Sequence, residues 1–217
     1  MSFASTLFRF LIDKGFCKED FEWFEGKLTD FELVISVILT QNTNWNNVKL
    51  ALNNLKKAQI EDLESLISCP NLEELVRPSG FYKVKAKRLK SFSEAILRDF
   101  SSLDNFQNNL SRDWLLEQKG IGKESADSLL NYFAEQEVMV VDSYSAKLAS
   151  HFGYEFESYD ELASFYKEGI DEKGFKELLS GKNLSQIYQI FHAAIVDFSK
   201  ALKKRPELLD ELRKELE

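Results

Sequence analysis

Residues 115–148 read LLEQKGIGKESADSLLNYFAEQEVMVVDSYSAKL. Leu115 and Leu116 end one amphipathic segment, and Gly120-Ile121-Gly122 follows. Two glycines around one apolar residue allow a tight turn, which points Ile121 into a core and the neighbouring N–H groups outward. Lys123-Glu124-Ser125-Ala126 then opens a second helix. The first turn of a helix carries unpaired N–H donors and a partial positive charge, a setting for phosphate. An ordinary helix–turn–helix connection would have the same spacing. The apolar run Val138-Met139-Val140-Val141 leads to Asp142, placed to cap a third helix through Leu148.

Working outward, the chain has 217 residues, enough for one or two compact domains. Its 3 Pro and 9 Gly suit a mostly helical protein with short connections, and its 18 Phe imply aromatic cores. No apolar run is long enough to cross a membrane, and Met1-Ser2-Phe3 starts no signal-peptide pattern, so a cytoplasmic location is expected. Cys17 and Cys69 read as reduced, packed thiols. His151 and His192 have no neighbouring ligand spacing, so no metal site is expected, and His192 reads as a core or edge histidine. The formal charge of −8 argues against DNA at first sight. It is unevenly spread, with Arg77, Lys83, Lys85, Lys87, Arg88, Lys90 and Arg98 in one stretch. That run is either a phosphate-holding face or a solvated helix face.

The pairing of Gly-Ile-Gly-Lys-x-Ser-Ala (120–126) with a downstream Val-Val-Asp (140–142) closely resembles the helix-hairpin-helix DNA glycosylases of the endonuclease III superfamily. The resemblance implies that Gly120, Ile121, Gly122, Lys123 and Ser125 grip the DNA backbone. It also implies that Asp142 faces the sugar of an extruded nucleotide. Bifunctional members carry a nucleophilic lysine two residues after the second hairpin glycine, where this chain has Glu124; Lys123 comes one residue early. Without that amine no Schiff base with the sugar is expected. The resemblance therefore implies a monofunctional enzyme in which Asp142 stabilises an oxocarbenium-like sugar and helps orient a water. Some relatives hold an iron–sulfur cluster on four cysteines near the C-terminus; this chain has no cysteine after Cys69. No cofactor is expected, beyond a monovalent cation that relatives often hold at the hairpin carbonyls.

Other segments extend the resemblance over most of the chain. FELVISVILT (31–40) is nearly apolar all round and reads as a buried helix capped by Thr29 or Asp30. The string Leu39-Thr40-Gln41-Asn42-Thr43 after it resembles the family segment in which a glutamine, here Gln41, fills the gap left by the flipped base. Trp45 opens the next helix, near the place where alkylbase members line the base pocket with an aromatic. Trp23, Phe24 and Glu25 precede the buried helix and are further pocket candidates. Gly80-Phe81-Tyr82 resembles the family's wedge, which places Phe81 in the duplex opposite the damage; ordinary core packing is the alternative. The helix from Asn183 buries Leu184, Ile187, Tyr188, Phe191, Ala194, Ile195 and Phe198 on one face. Lys200 lies off that stripe, where solvent is the default and a desolvated place near the pocket is the alternative. The tail from Pro206 to Glu217 reads as a charged amphipathic helix at the periphery.

These readings together imply an all-α fold of two helical domains of the endonuclease III type. Residues 24–137 would hold the wedge and hairpin; residues 1–23 with 138–217 would carry Asp142, the base pocket lying in the cleft between. The expected partner is double-stranded DNA containing alkylated bases, bound by a monomer. The expected activity is flipping and hydrolytic excision of 3-methyladenine in base excision repair. A cationic methylated purine leaves readily, so aromatic pocket walls suffice, with cation–π contact adding selectivity. The alternatives are a glycosylase for oxidised pyrimidines or mismatched bases, and a non-enzymatic helix-hairpin-helix DNA-binding protein.

Overall fold

The computed structural model describes residues 2–18 and 28–216, and among them the regular structure is entirely helical. The chain divides into two compact units. One comprises Leu28–Ala134; the other joins Met1–Lys27 to Glu135–Glu217. We call them the middle and the terminal unit.

The middle unit is built on α2 (Asp30–Thr40), α3 (Trp45–Lys57), α4 (Leu63–Ser68), α5 (Leu72–Leu75), α6 (Tyr82–Phe100), α7 (Leu103–Asn109), α8 (Arg112–Glu117) and α9 (Lys123–Ser128). A capping box starts α2: the Glu32 N–H donates to Thr29 Oγ1, and the Thr29 N–H donates to the Glu32 carboxylate. Helix α2 buries Phe31, Val34, Ile35, Ile38 and Leu39, as its apolar sequence requires. Helix α6 turns Ala86, Leu89, Phe92 and Ile96 inward, a run at helical spacing on the basic segment. Phe92, Phe106, Phe133 and Trp114 cluster at ring distances of 5.4 to 6.0 Å. Asn71 precedes α5 without a side-chain capping bond. Helix α9 widens into a π-turn at Leu129–Phe133, which the sequence did not signal.

The terminal unit comprises α1 (Phe3–Asp13), α10 (Ser143–Ser150), α11 (Tyr159–Lys167), α12 (Glu172–Phe175), α13 (Leu184–Ala201) and α14 (Glu207–Leu216). Its core stacks Phe8 between Phe175 and Phe191, with centroids 4.7 and 4.3 Å away. A second aromatic group joins Phe3, Phe165, Tyr166 and Phe152. These two clusters hold six of the 18 phenylalanines in the chain. Helix α14 is not peripheral: Leu208 and Leu212 are fully buried in this core, and Glu211 pairs with Lys14 just after α1. Leu209 and Leu216 pack against the same core, so the apolar stripe of this amphipathic helix docks a whole face.

Candidate active site

The hairpin joins α8 to α9. Gly120 has φ +92°, and a Cβ on it would stand 2.5 Å from Arg88 Nε, so both the backbone and the crowding demand glycine. Ile121 is buried. Gly122 is different: with φ −97° and ψ 179° it lies in extended backbone, and a Cβ there would meet nothing within 4 Å. The sequence reading gave both glycines unusual angles, and only Gly120 has them. At Gly122, the N-cap of α9, the missing side chain leaves the start of the helix open. Lys123 and Glu124 are both exposed beside it.

Gln41 braces this turn from the end of α2. Its Nε2 donates to the Gly120 carbonyl at 2.9 Å and to Ser125 Oγ at 3.1 Å, while its Oε1 accepts from Arg88 Nη1 at 2.9 Å. One amide thereby ties both sides of the hairpin to α6. A second tie is a forked pair, with Arg112 Nε 2.6 Å from Asp127 Oδ1 and Nη2 3.3 Å from Oδ2. It fastens α9 back onto α8.

Phe81 stands at the N-cap of α6 with φ +46° and is 70% exposed. That exposure removes the reading of Phe81 as core. An aromatic held in left-handed backbone and presented to solvent has a conformational cost of about 1 kcal/mol or more. The loop beneath it is held by Lys85, which is only 2% exposed. Its Nζ donates to Leu39 O at 2.8 Å and to Ser79 O at 2.6 Å. Burial, with help from Arg88, pushes the Lys85 amine down to about 8. The basic run is therefore not one solvated face. Lys85 is internal, Lys90 donates to Cys69 O, and Arg98 pairs with Asp99.

In the terminal unit Asp142 is the N-cap of α10, and its two oxygens have different duties. Oδ1 accepts from Tyr144 N at 2.9 Å, Ser145 N at 3.0 Å and Ser145 Oγ at 3.2 Å. Oδ2 faces His192 Nε2 at 3.7 Å, and both side chains are 16% exposed. Burial pushes the Asp142 carboxyl up. The His192 imidazole and the Ser145 donors outweigh it and hold the group below the usual carboxylate range. Behind the cap, Tyr166 donates to Ser145 O at 2.8 Å, and its phenol is pushed up by burial and by the charge of Asp142. His192 is an edge histidine, as expected, but one with a specific neighbour. It meets the carboxylate from α13, fifty residues along the chain.

The remaining candidates fall as follows. Trp45 opens α3, half-buried. Trp23, Phe24 and Glu25 lie outside the described residues. Lys200 is exposed, not desolvated, with Nζ 5.9 Å from the Tyr144 ring. It is polar and near the end of α13, so solvent keeps it. Among the described residues no group of His, Cys, Asp or Glu could hold a metal ion, and two cysteines cannot supply a four-cysteine cluster. Among the same residues no helix is long and apolar enough to cross a membrane.

A glycine hairpin in one helical unit and a capping aspartate in the other define a helix-hairpin-helix DNA glycosylase, and comparison with known proteins agrees. Residues 35–172 match the HhH-GPD superfamily of base excision DNA repair proteins, and the chain belongs to that family. Among solved structures it resembles the 3-methyladenine DNA glycosylase MagIII of H. pylori bound to 1,N6-ethenoadenine. The two are 40% identical with a TM-score of 0.80, over 92% of this chain and 98% of that one. MJ1434 of Methanocaldococcus jannaschii, described as a DNA repair glycosylase, is 36% identical over 84% of this chain and 82% of its own. An endonuclease III–DNA complex shares the fold at 18% identity and a TM-score of 0.64, over 86% of this chain and 82% of that one.

Proposed function

We propose that this chain is a monofunctional glycosylase that flips 3-methyladenine and related alkylated purines out of duplex DNA and hydrolyses the glycosidic bond. The hairpin, braced by the Gln41 amide, would hold the backbone through its open N–H groups, and Phe81 would wedge the opposite strand. Trp45, with Trp23, Phe24 and Glu25, would line the base pocket, and Lys200 would lie near it. As the C1′–N bond breaks, its electron pair neutralises the cationic base. Asp142 would stabilise the positive charge growing on the sugar and steer to C1′ a water whose proton passes to the carboxylate as the C1′–O bond forms. Lyase chemistry is not proposed, because Glu124 stands where a nucleophilic amine would be needed. Action is expected as a monomer, in the cytoplasm.

The observation that carries this reading is the split duty of Asp142. One oxygen is spent on the helix cap, which fixes the carboxylate, and the other is left for chemistry. The likeness to MagIII over nearly the whole chain supports the choice of alkylated purine. The test is release of bases from methylated and from oxidised duplexes by wild type and Asp142→Asn. Release of 3-methyladenine, lost in the variant while DNA binding persists, is expected. Release from oxidised duplex would shift the substrate to damaged pyrimidines, and binding without release of any base would leave a DNA-binding protein.

A further inference from the structure

We propose that His192 is the positioning residue of Asp142, holding the carboxylate ionised and aimed from α13. The inference rests on the reading of Asp142 just given and deepens it.

The geometry is specific. A carboxylate offers about four lone-pair sites, and three donors crowd Oδ1 alone. Without a further partner Oδ2 would be the unanchored end of a group that is 16% exposed, where an isolated charge is costly. His192 Nε2 is the group across from it, at 3.7 Å. That is beyond direct hydrogen-bond reach, so the imidazole faces Oδ2 without occupying it and leaves that oxygen accessible. A tighter bond would anchor the carboxylate but spend the second oxygen as well.

The other charged and titratable groups on α13 and the helices packed on it are engaged elsewhere or face solvent. Tyr166 of α11 donates to Ser145 O, and Lys200 sits over the Tyr144 ring. Arg9 of α1 lies over Phe175, and Asp197 pairs with Lys18. Asp13, Lys147 and Lys173 are exposed. His192 is therefore what offsets the burial of Asp142, together with the capping donors from Ser145. Removing the imidazole leaves burial opposed by the cap alone, and the carboxylate then takes a proton at higher pH. A protonated Asp142 neither stabilises a sugar cation nor accepts a proton from water.

The experiment is single-turnover base release from methylated duplex across pH 5 to 8, for wild type, His192→Leu, His192→Gln and Asp142→Asn. In His192→Leu the acid limb of the profile moves to higher pH. The rate at pH 5.5 falls by about tenfold or more, while at pH 8 it stays near wild type. The amide of His192→Gln restores part of the rate. In parallel, NMR titration of the Asp142 carboxyl carbon reads the same upward movement without any substrate. An unchanged acid limb and carboxyl titration in both His192 variants overturns the proposal, as does a loss equal at every pH, which marks a purely structural role. If Asp142→Asn releases base as wild type does, the failure lies in the reading of Asp142 and the positioning role goes with it.

Discussion

Phe81 combines two features that a folding requirement would not select together: left-handed backbone at a β-carbon residue and a ring mostly in solvent. Replacing it with alanine removes little packing, so stability should change by no more than about 0.5 kcal/mol in urea unfolding. Base release should drop by about tenfold, read with a fluorescent base analogue that reports extrusion. Wild-type extrusion in Phe81→Ala would remove the wedge role. Residues of this kind were legible in the sequence because their signal is local. The glycines, Phe81 and Asp142 each sit inside a short motif whose turn or cap chemistry can be read from neighbours. The partners of those residues were not legible. His192 meets Asp142 from fifty positions away, and Gln41 meets Arg88 and Gly120 across 47 and 79. A pairing across that separation leaves no period or spacing to find, because it depends on how helices pack and not on how each one forms.

At the scale of the element, α6 and α9 are fixed by buried polar ties more than by their own propensities. Lys85 caps the end of α2 and the wedge loop at once, and the charged amine is disfavoured there. The folded-state value, about 8, lies below that of the unfolded chain. The unfolded chain therefore holds more protons between about pH 8 and the ordinary lysine range, and folding becomes more favourable as pH rises through that window. A neutral amine still has the two N–H donors that Leu39 O and Ser79 O require. Wild type should accordingly gain stability relative to Lys85→Met above pH 8, by up to about 1 kcal/mol per pH unit in urea titrations. A constant difference from pH 7 to 10 would refute the assignment. The Arg112–Asp127 fork belongs to the same class. Asp127→Ala should cost about 2 kcal/mol, less than for a fully buried pair because Arg112 is 34% exposed. Calorimetry would check it, and a loss below about 0.5 kcal/mol would show that the fork adds nothing. None of this appears in the spacing of the basic run, which marks Lys85 as one cation among several. Likewise the amphipathic pattern of α14 was legible, but not that its apolar face docks in the terminal core, which depends on how helices pack.

Taken whole, the molecule carries a formal charge of −8, and its cations around Phe81 and the hairpin are few. Lys85 is buried, Lys90 donates to Cys69 O and Arg98 pairs with Asp99; the exposed cations closer by are Arg77, itself beside Glu74, with Lys83, Lys87, Lys119 and Lys123. The logarithm of the DNA association constant should then fall with the logarithm of salt at a slope of only about −4, measured by fluorescence anisotropy. A slope near −8 would mean a second basic surface. The all-helical class could be read from few prolines, frequent helical periods and capping residues, which act within each helix. The two aromatic clusters of the terminal unit could be expected from composition but not placed, because α1 and α13 are joined in space and not in sequence.

The grip of one amide on the glycine turn has a kinetic meaning. Since Gln41 holds the Gly120 carbonyl, the Ser125 hydroxyl and Arg88 together, the loop is already set in shape by its own chain. If the hairpin meets the duplex as proposed, encounter would freeze little further backbone motion at this point, the entropy of fixing the turn having been met during folding. Such a loop can touch and leave successive stretches of helix quickly, as a protein must that inspects a long polymer for a rare lesion.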